Sequence, residues 1–308
     1  MSLFSRPPAN DIRLKMYVYG ETGTGKTITA LNFPDPIVID TEKGSEHYRK
    51  DYGEFPVLYS MDSNEIIAAI DELLVDPQGH KTFVLDSFTR LYDSIVRARE
   101  ISVRRRTGDD NYEIQPLDYR YIKGVTQLIS EKMLSLDMNL IVTARSKNVY
   151  AKGKFMEVEG TAAEGDKNLP YLFDVVIELK IEGDKRVAYV EKDRTNKLPA
   201  TFEYNYDNLV EYIGLENLNK EASADKQKSN IDFRKSRTTY ITVSGEKMKT
   251  AGITAADLVA ISTFTDIIET DDFKEVLLEQ YQVDSLLDLN KKEGQALLAY
   301  LQKQTTSK

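Results

Sequence analysis

Cysteine is absent from the whole chain, which excludes disulfides and thiolate metal sites and leans toward a reducing, cytoplasmic setting. Histidine is nearly absent too. His47 and His80 are too few and too far apart in sequence to hold a metal, and both read as surface residues. No apolar run approaches the roughly 20 residues that a membrane helix needs, so no membrane contact is expected. Met1 to Pro8 lacks the apolar core of an export signal. Positive charge is in deficit: the net charge of -9 speaks against coating nucleic acid by bulk electrostatics, though local basic patches stay open.

What is present is a soluble, globular profile with 30% charged residues, long enough for one large or two modest domains. Its centre is a short apolar run, Met16 to Tyr19, feeding Gly20-Glu21-Thr22-Gly23-Thr24-Gly25-Lys26-Thr27 and then a helical segment ending near Asn32. Strand, glycine-rich loop and helix in that order form a phosphate-binding loop. The glycines free the backbone so that successive N–H groups point at one cluster of phosphate oxygens. Lys26 supplies a charge for the β- and γ-phosphates, and the Thr27 hydroxyl is the expected protein ligand of Mg²⁺.

Further along, Pro36 to Asp40 is a second apolar run, ending in Asp40-Thr41-Glu42. A carboxylate leaving a strand beside a phosphate loop sits where ligands gather in parallel sheets, so Glu42 is a candidate to activate a water; a solvated loop glutamate is the alternative. Val57 to Tyr59 is a short strand, and Ser63 reads as the cap of an amphipathic helix over Ile66, Ile67, Ile70, Leu73 and Leu74. Lys81 to Ser87 is a strand closing on Asp86, about 60 residues after Lys26, where an acid holds Mg²⁺ through its water shell.

Helix is expected from Phe88 to Arg99, then a polar loop through Arg104, Arg105, Arg106 and Asn111, then helix over Leu117 to Asp137. Three arginines in a loop suit a phosphate backbone as well as they suit solvent. Asn139 to Arg145 is another strand, whose end, Thr143 to Arg145, is placed to sense a γ-phosphate. Ser146 to Lys167 reads as a mobile loop or small hairpin. Phe173 to Ile181 and Arg186 to Glu191 are strands around a Gly183-Asp184 turn. The predicted class is α/β, a mainly parallel sheet flanked by helices, with the last strand pair antiparallel. The expected boundaries are an N-terminal arm over 1–13, a core over 14–215, a lysine-rich linker over 216–235 and a small, mostly helical module over 236–308.

Taken together, these motifs resemble the RecA-like recombinase core, in particular the phage-encoded RecA-type ATPases of the recombination and single-strand-annealing group, over residues 14–214. The resemblance implies a Mg²⁺-dependent ATPase stimulated by single-stranded DNA, working as a ring or filament of identical chains in the cytoplasm of a bacterial host. ATP and Mg²⁺ are the implied cofactors, with Glu42 catalytic and Asp86 on the metal. Arg104 to Asp118 takes the place of a first DNA-binding loop, and Ser146 to Lys167, with Lys147, Lys152 and Lys154, that of a second. Lys192 and Arg194 resemble the cation pair that reaches a neighbouring subunit's nucleotide; local pairing is the alternative. RecA carries an amide side chain where this chain has Ala144-Arg145. The C-terminal module is implied to meet a single-stranded-DNA-binding protein or another replication partner. A second reading makes the chain a nucleotide-switched regulator or adaptor acting through that module.

Overall fold

The computed structural model describes residues 13–150, 157–223, 226–227 and 291–306. Apolar runs with both faces covered build parallel strands. They are β1 (Lys15–Gly20), β2 (Pro36–Asp40), β3 (Val57–Tyr59), β4 (Thr82–Asp86), β5 (Asn139–Tyr150) and β7 (Val175–Glu182). Among the described residues the sheet has the order β3-β2-β4-β5-β1-β7-β8-β9, with β8 (Lys185–Asp193) and β9 (Thr201–Glu203) antiparallel at one edge. The expected α/β class, with a mainly parallel sheet, is the one formed.

Period-two alternation along β1 explains its double burial. Met16 and Val18 enter a cluster with Leu31 of α1 (Lys26–Leu31), with Phe33 just after it, and with Leu209 and Ile213 of α6 (Tyr206–Ile213). Tyr17 and Tyr19 are buried on the other face, with Tyr17 tilted against Phe173 at 5.3 Å between ring centroids. Each such side chain contributes about 1.5–3 kcal/mol by leaving water.

Two local expectations change. In α3 (Ser63–Val75), Asp62 is the cap, accepting from Asn64 N at 2.6 Å, because a carboxylate also answers the positive helix end; Ser63 is the first helical residue. In α4 (Phe88–Thr107), the helix runs through the three arginines that were expected in a loop. Arginine is a good helix former, and cations in a last turn offset the negative helix end. The stop comes at Gly108, whose φ of 69° ends the helix. The stretch after Arg145, for which a mobile loop or a small hairpin was expected, forms the hairpin arm: β5 continues to Tyr150 and pairs back with β6 (Val158–Ala163). Lys152 and Lys154 lie outside the described residues, as does most of the expected C-terminal module, of which a helix over Lys291–Thr306 is described.

Residues 97–118 belong to a second compact unit. Within it Asp118 is the organiser: it pairs with Arg99 at 3.0 Å, takes the Tyr112 hydroxyl, and accepts Gln115 N at 2.9 Å. Arg104 pairs with Glu100 and donates to Tyr112 O at 3.0 Å.

The stretch expected to be a linker starts docked on the sheet unit. Gln227 is fully buried and donates to Leu73 O and Leu74 O at 3.0 and 3.1 Å, satisfying carbonyls left open at the end of α3. Beside it, the Asp137 side chain is 2% exposed and pairs with Arg13 at 3.1 Å and Lys226 at 3.0 Å. Burial alone raises the Asp137 pKa, but hydrogen bonds from Arg13, Lys226 and Ser223 N overcome it and hold the carboxyl below its ordinary value.

Asp137→Asn should therefore lower the unfolding free energy at pH 7 by about 3 kcal/mol, as breaking a buried ion pair does. The folded pKa lies below the unfolded value of about 3.9, so the contribution is complete above that value and is lost as pH falls through the folded one. In urea titrations the gap between the two proteins should narrow in acid; a gap independent of pH would rule out the charge as its cause.

Candidate nucleotide site

Gly20 ends β1, and the loop that follows needs backbone freedom at two kinds of position. Gly23 and Gly25 have φ of 85° and 89°, where a Cβ is strained. At Gly20 the constraint is space: a Cβ would lie 2.5 Å from Leu179 O of β7. Lys26 opens α1 and turns back over this loop, donating to Gly20 O at 2.9 Å, Glu21 O at 2.6 Å and Thr24 Oγ1 at 3.2 Å. Burial lowers the Lys26 pKa, and the nearby Asp86 and Glu42 offset part of that.

Asp86 stands at the end of β4. Its side chain accepts the Thr27 hydroxyl at 2.5 Å and the Thr143 hydroxyl of β5. Burial raises its pKa, against the pull of those two hydroxyls. One strand over, Asp40 accepts Glu42 N and Ser45 N, both at 2.8 Å, and so shapes the turn that presents Glu42. Thr41 stitches this turn to β4: its N donates to Asp86 O at 2.8 Å, and its hydroxyl donates to Ser87 O and accepts from Ser87 N. The Asp86–Ser87 peptide is cis.

Glu42 accepts the Ser87 hydroxyl at 2.7 Å and a forked pair from Arg145, Nε at 3.2 Å and Nη2 at 3.0 Å. Burial would raise the Glu42 pKa, but these bonds win and hold it below the ordinary carboxylate range. Arg145, level with Gly20 across the sheet, is raised in turn by Glu42. A cavity of about 450 Å³ opens here, lined among others by Glu42, Lys43, Tyr59, Arg90 and Arg145.

The structure thus gathers the loop Gly20 to Thr27 with Glu42 and Asp86 at the carboxyl ends of β1, β2 and β4. Residues that the sequence did not single out, Asp40, Thr41 and Ser87, hold the two acids in place; a polar residue following each strand-ending acid was their one signal. Lys192 and Arg194 are elsewhere. Lys192 pairs in register with Val176 and Asp193 with Val175, which is level with Met16, so this end of β8 lies about 13 Å along the strands from Gly20. Lys192 donates to Tyr171 O and Phe173 O at 2.9 and 2.5 Å, and burial, then Arg194, lowers its pKa. Arg194 reaches Asp174 at 3.3 Å. Arg104, Arg105 and Arg106 occupy the last turn of α4, and Lys147 is exposed on the arm.

A strand-ending phosphate loop with an acid at the end of β4, one strand beyond β5, can bind a nucleoside triphosphate and support its hydrolysis. No curated protein matches the chain. Among solved structures it is similar to one described as the crystal structure of the RadB recombinase, at 19% identity and a TM-score of 0.38 over 62% of this chain and 86% of that one. The AAA domain family matches residues 12–197, more than half of the 308, and the chain therefore belongs to that family.

Proposed function

We propose that the chain is a Mg²⁺-dependent, RecA-like recombination ATPase that binds single-stranded DNA and promotes annealing or strand pairing as an oligomer of identical chains. The observation that carries the ATPase part is the meeting of Lys26, Thr27 and Asp86 one strand away from Glu42. A hydroxyl and a carboxylate, with no cluster of three acidic or histidine side chains among the described residues, fit an ion that keeps waters and phosphate oxygens as its other ligands. When bound, Mg²⁺ would neutralise charge on the β- and γ-phosphates; Thr27 and Asp86 would hold it. Glu42 orients and deprotonates the attacking water. While Arg145 grips it, the carboxylate is a weak base, so a phosphate that draws Arg145 away strengthens it.

The DNA reading rests on the arm and on the recombinase resemblance. Lys147 is exposed there, and Tyr150 and Val149 are 51% and 39% exposed, a cation with apolar faces suited to a backbone and stacked bases. Lys152 and Lys154 follow in the sequence; Arg104 to Arg106, at the end of α4 in the second unit, are a separate candidate for a phosphate backbone. Lys192 and Arg194 lie at the far end of the sheet from their own phosphate loop, so any role at a nucleotide belongs to a neighbouring copy.

Lys26→Ala should weaken ATP binding about 100-fold, the loss of a desolvated charge contact. Glu42→Gln should leave ATP affinity within about threefold and slow hydrolysis about 10²–10⁴-fold. Calorimetry and single-turnover assays separate the two, and equal loss of binding in both variants would contradict these roles. Lys147→Ala/Tyr150→Ala should weaken single-stranded DNA binding at least tenfold, as loss of one stacked base does, with ATP affinity unchanged. Unaltered DNA binding in fluorescence anisotropy at low salt would remove the arm from the interface.

A further inference from the structure

We infer that Arg186, at the tip of the β7–β8 hairpin, is a second phosphate-binding cation of the nucleotide site, acting from the same chain on the phosphates common to ATP and ADP. The inference rests on the nucleotide-binding reading above.

The contact is direct. Arg186 lies over Gly25, so that a Cβ built there would come within 2.7 Å of Arg186 Cδ and 2.9 Å of Nε. Its backbone is fixed, paired in register with Ile181 and accepting Tyr204 N at 2.7 Å. The other cations of this hairpin tip are taken: Lys180 pairs with Glu178 at 3.0 Å and Lys185 with Glu203 at 2.8 Å. Arg186 has no carboxylate at ion-pair distance among the described residues, although the chain carries an excess of acids. A guanidinium resting on a phosphate loop with no acid to answer it has an oxyanion as its natural partner, because its fork matches phosphate oxygens.

The side of approach decides which phosphates. Asp86 and Glu42 reach the loop from β4 and β2, on one side of β1, whereas Arg186 comes from β8, on the other. The γ-phosphate end belongs to the acids and Arg145, and Arg186 meets the part of the nucleotide that survives hydrolysis. It therefore strengthens binding of substrate and product alike and takes no part in the choice between them.

The test measures affinity of the full chain for ATP and for ADP, by calorimetry with Mg²⁺, in wild type, Arg186→Ala and Arg186→Lys. The expected result is a loss of about tenfold for both nucleotides in the alanine variant, the size of one charge-assisted hydrogen bond, with partial recovery in the lysine variant. Unchanged affinity for both in Arg186→Ala, with wild type binding normally, would overturn the inference and leave the proposed function standing. A loss confined to ATP would also overturn it, since Arg186 would then serve the γ-phosphate. Wild type binding neither nucleotide would overturn the proposed function itself. Thermal melting without nucleotide should be the same in all three proteins, because the side chain is exposed; a lower melting temperature in Arg186→Ala alone would assign it a structural role instead.

Discussion

The carboxylate of Asp86 is the constraint on which the rest of the site depends. A charge taken out of water must be answered, and here the answer is two hydroxyls, Thr27 at the start of α1 and Thr143 on β5. Its main-chain oxygen meanwhile accepts Thr41 N from the turn after β2. One residue of β4 thus draws together α1, the turn after β2 and β5. Hydroxyls satisfy the lone pairs without cancelling the charge, which is why burial still raises the Asp86 pKa. The result is a buried carboxylate whose direct side-chain partners are hydroxyls, with the Lys26 ammonium nearby.

Glu42 is treated oppositely. It is partly exposed and directly paired, with Arg145 forked across it and Ser87 donating to the same oxygen as Arg145 Nε. Arg145 also stands at the root of the arm: its N donates to Thr89 Oγ1, that hydroxyl donates to Glu164 O, and Glu164 N returns to Arg145 O. The side chain that restrains the acid is therefore carried by the same residue from which β5 leaves the sheet.

Much of this was legible because the signals are local. Gly20 to Thr27 needs only its own eight residues, and Asp40 and Asp86 each close an apolar run that can hardly be other than a buried strand. The helix through Arg104 to Arg106 was not legible in the same way: a charge run looks like a loop until the helix-end electrostatics and the glycine one turn later are weighed together. The docking of Gln227 was hidden for a different reason. A polar, lysine-rich stretch has nothing apolar to bury, and its burial is driven by open carbonyls on α3, a feature of the fold and not of the stretch itself.

The contrast between the two ends of β8 shows where reading a sequence stops. Lys192 and Arg194 at one end and Arg186 at the other are all cationic side chains, and six to eight residues separate them. Which end lies beside the phosphate loop is set by the register of β7 on β1, Leu179 against Gly20, and of β8 on β7, Ala188 against Leu179. A hairpin fixes its own register through the Gly183 turn, but its alignment on β1 comes from contacts far apart in the chain. Once that alignment is known, the cation pair nearer the strand end is occupied by carbonyls and an aspartate, and the single arginine near the turn is the one left facing the loop.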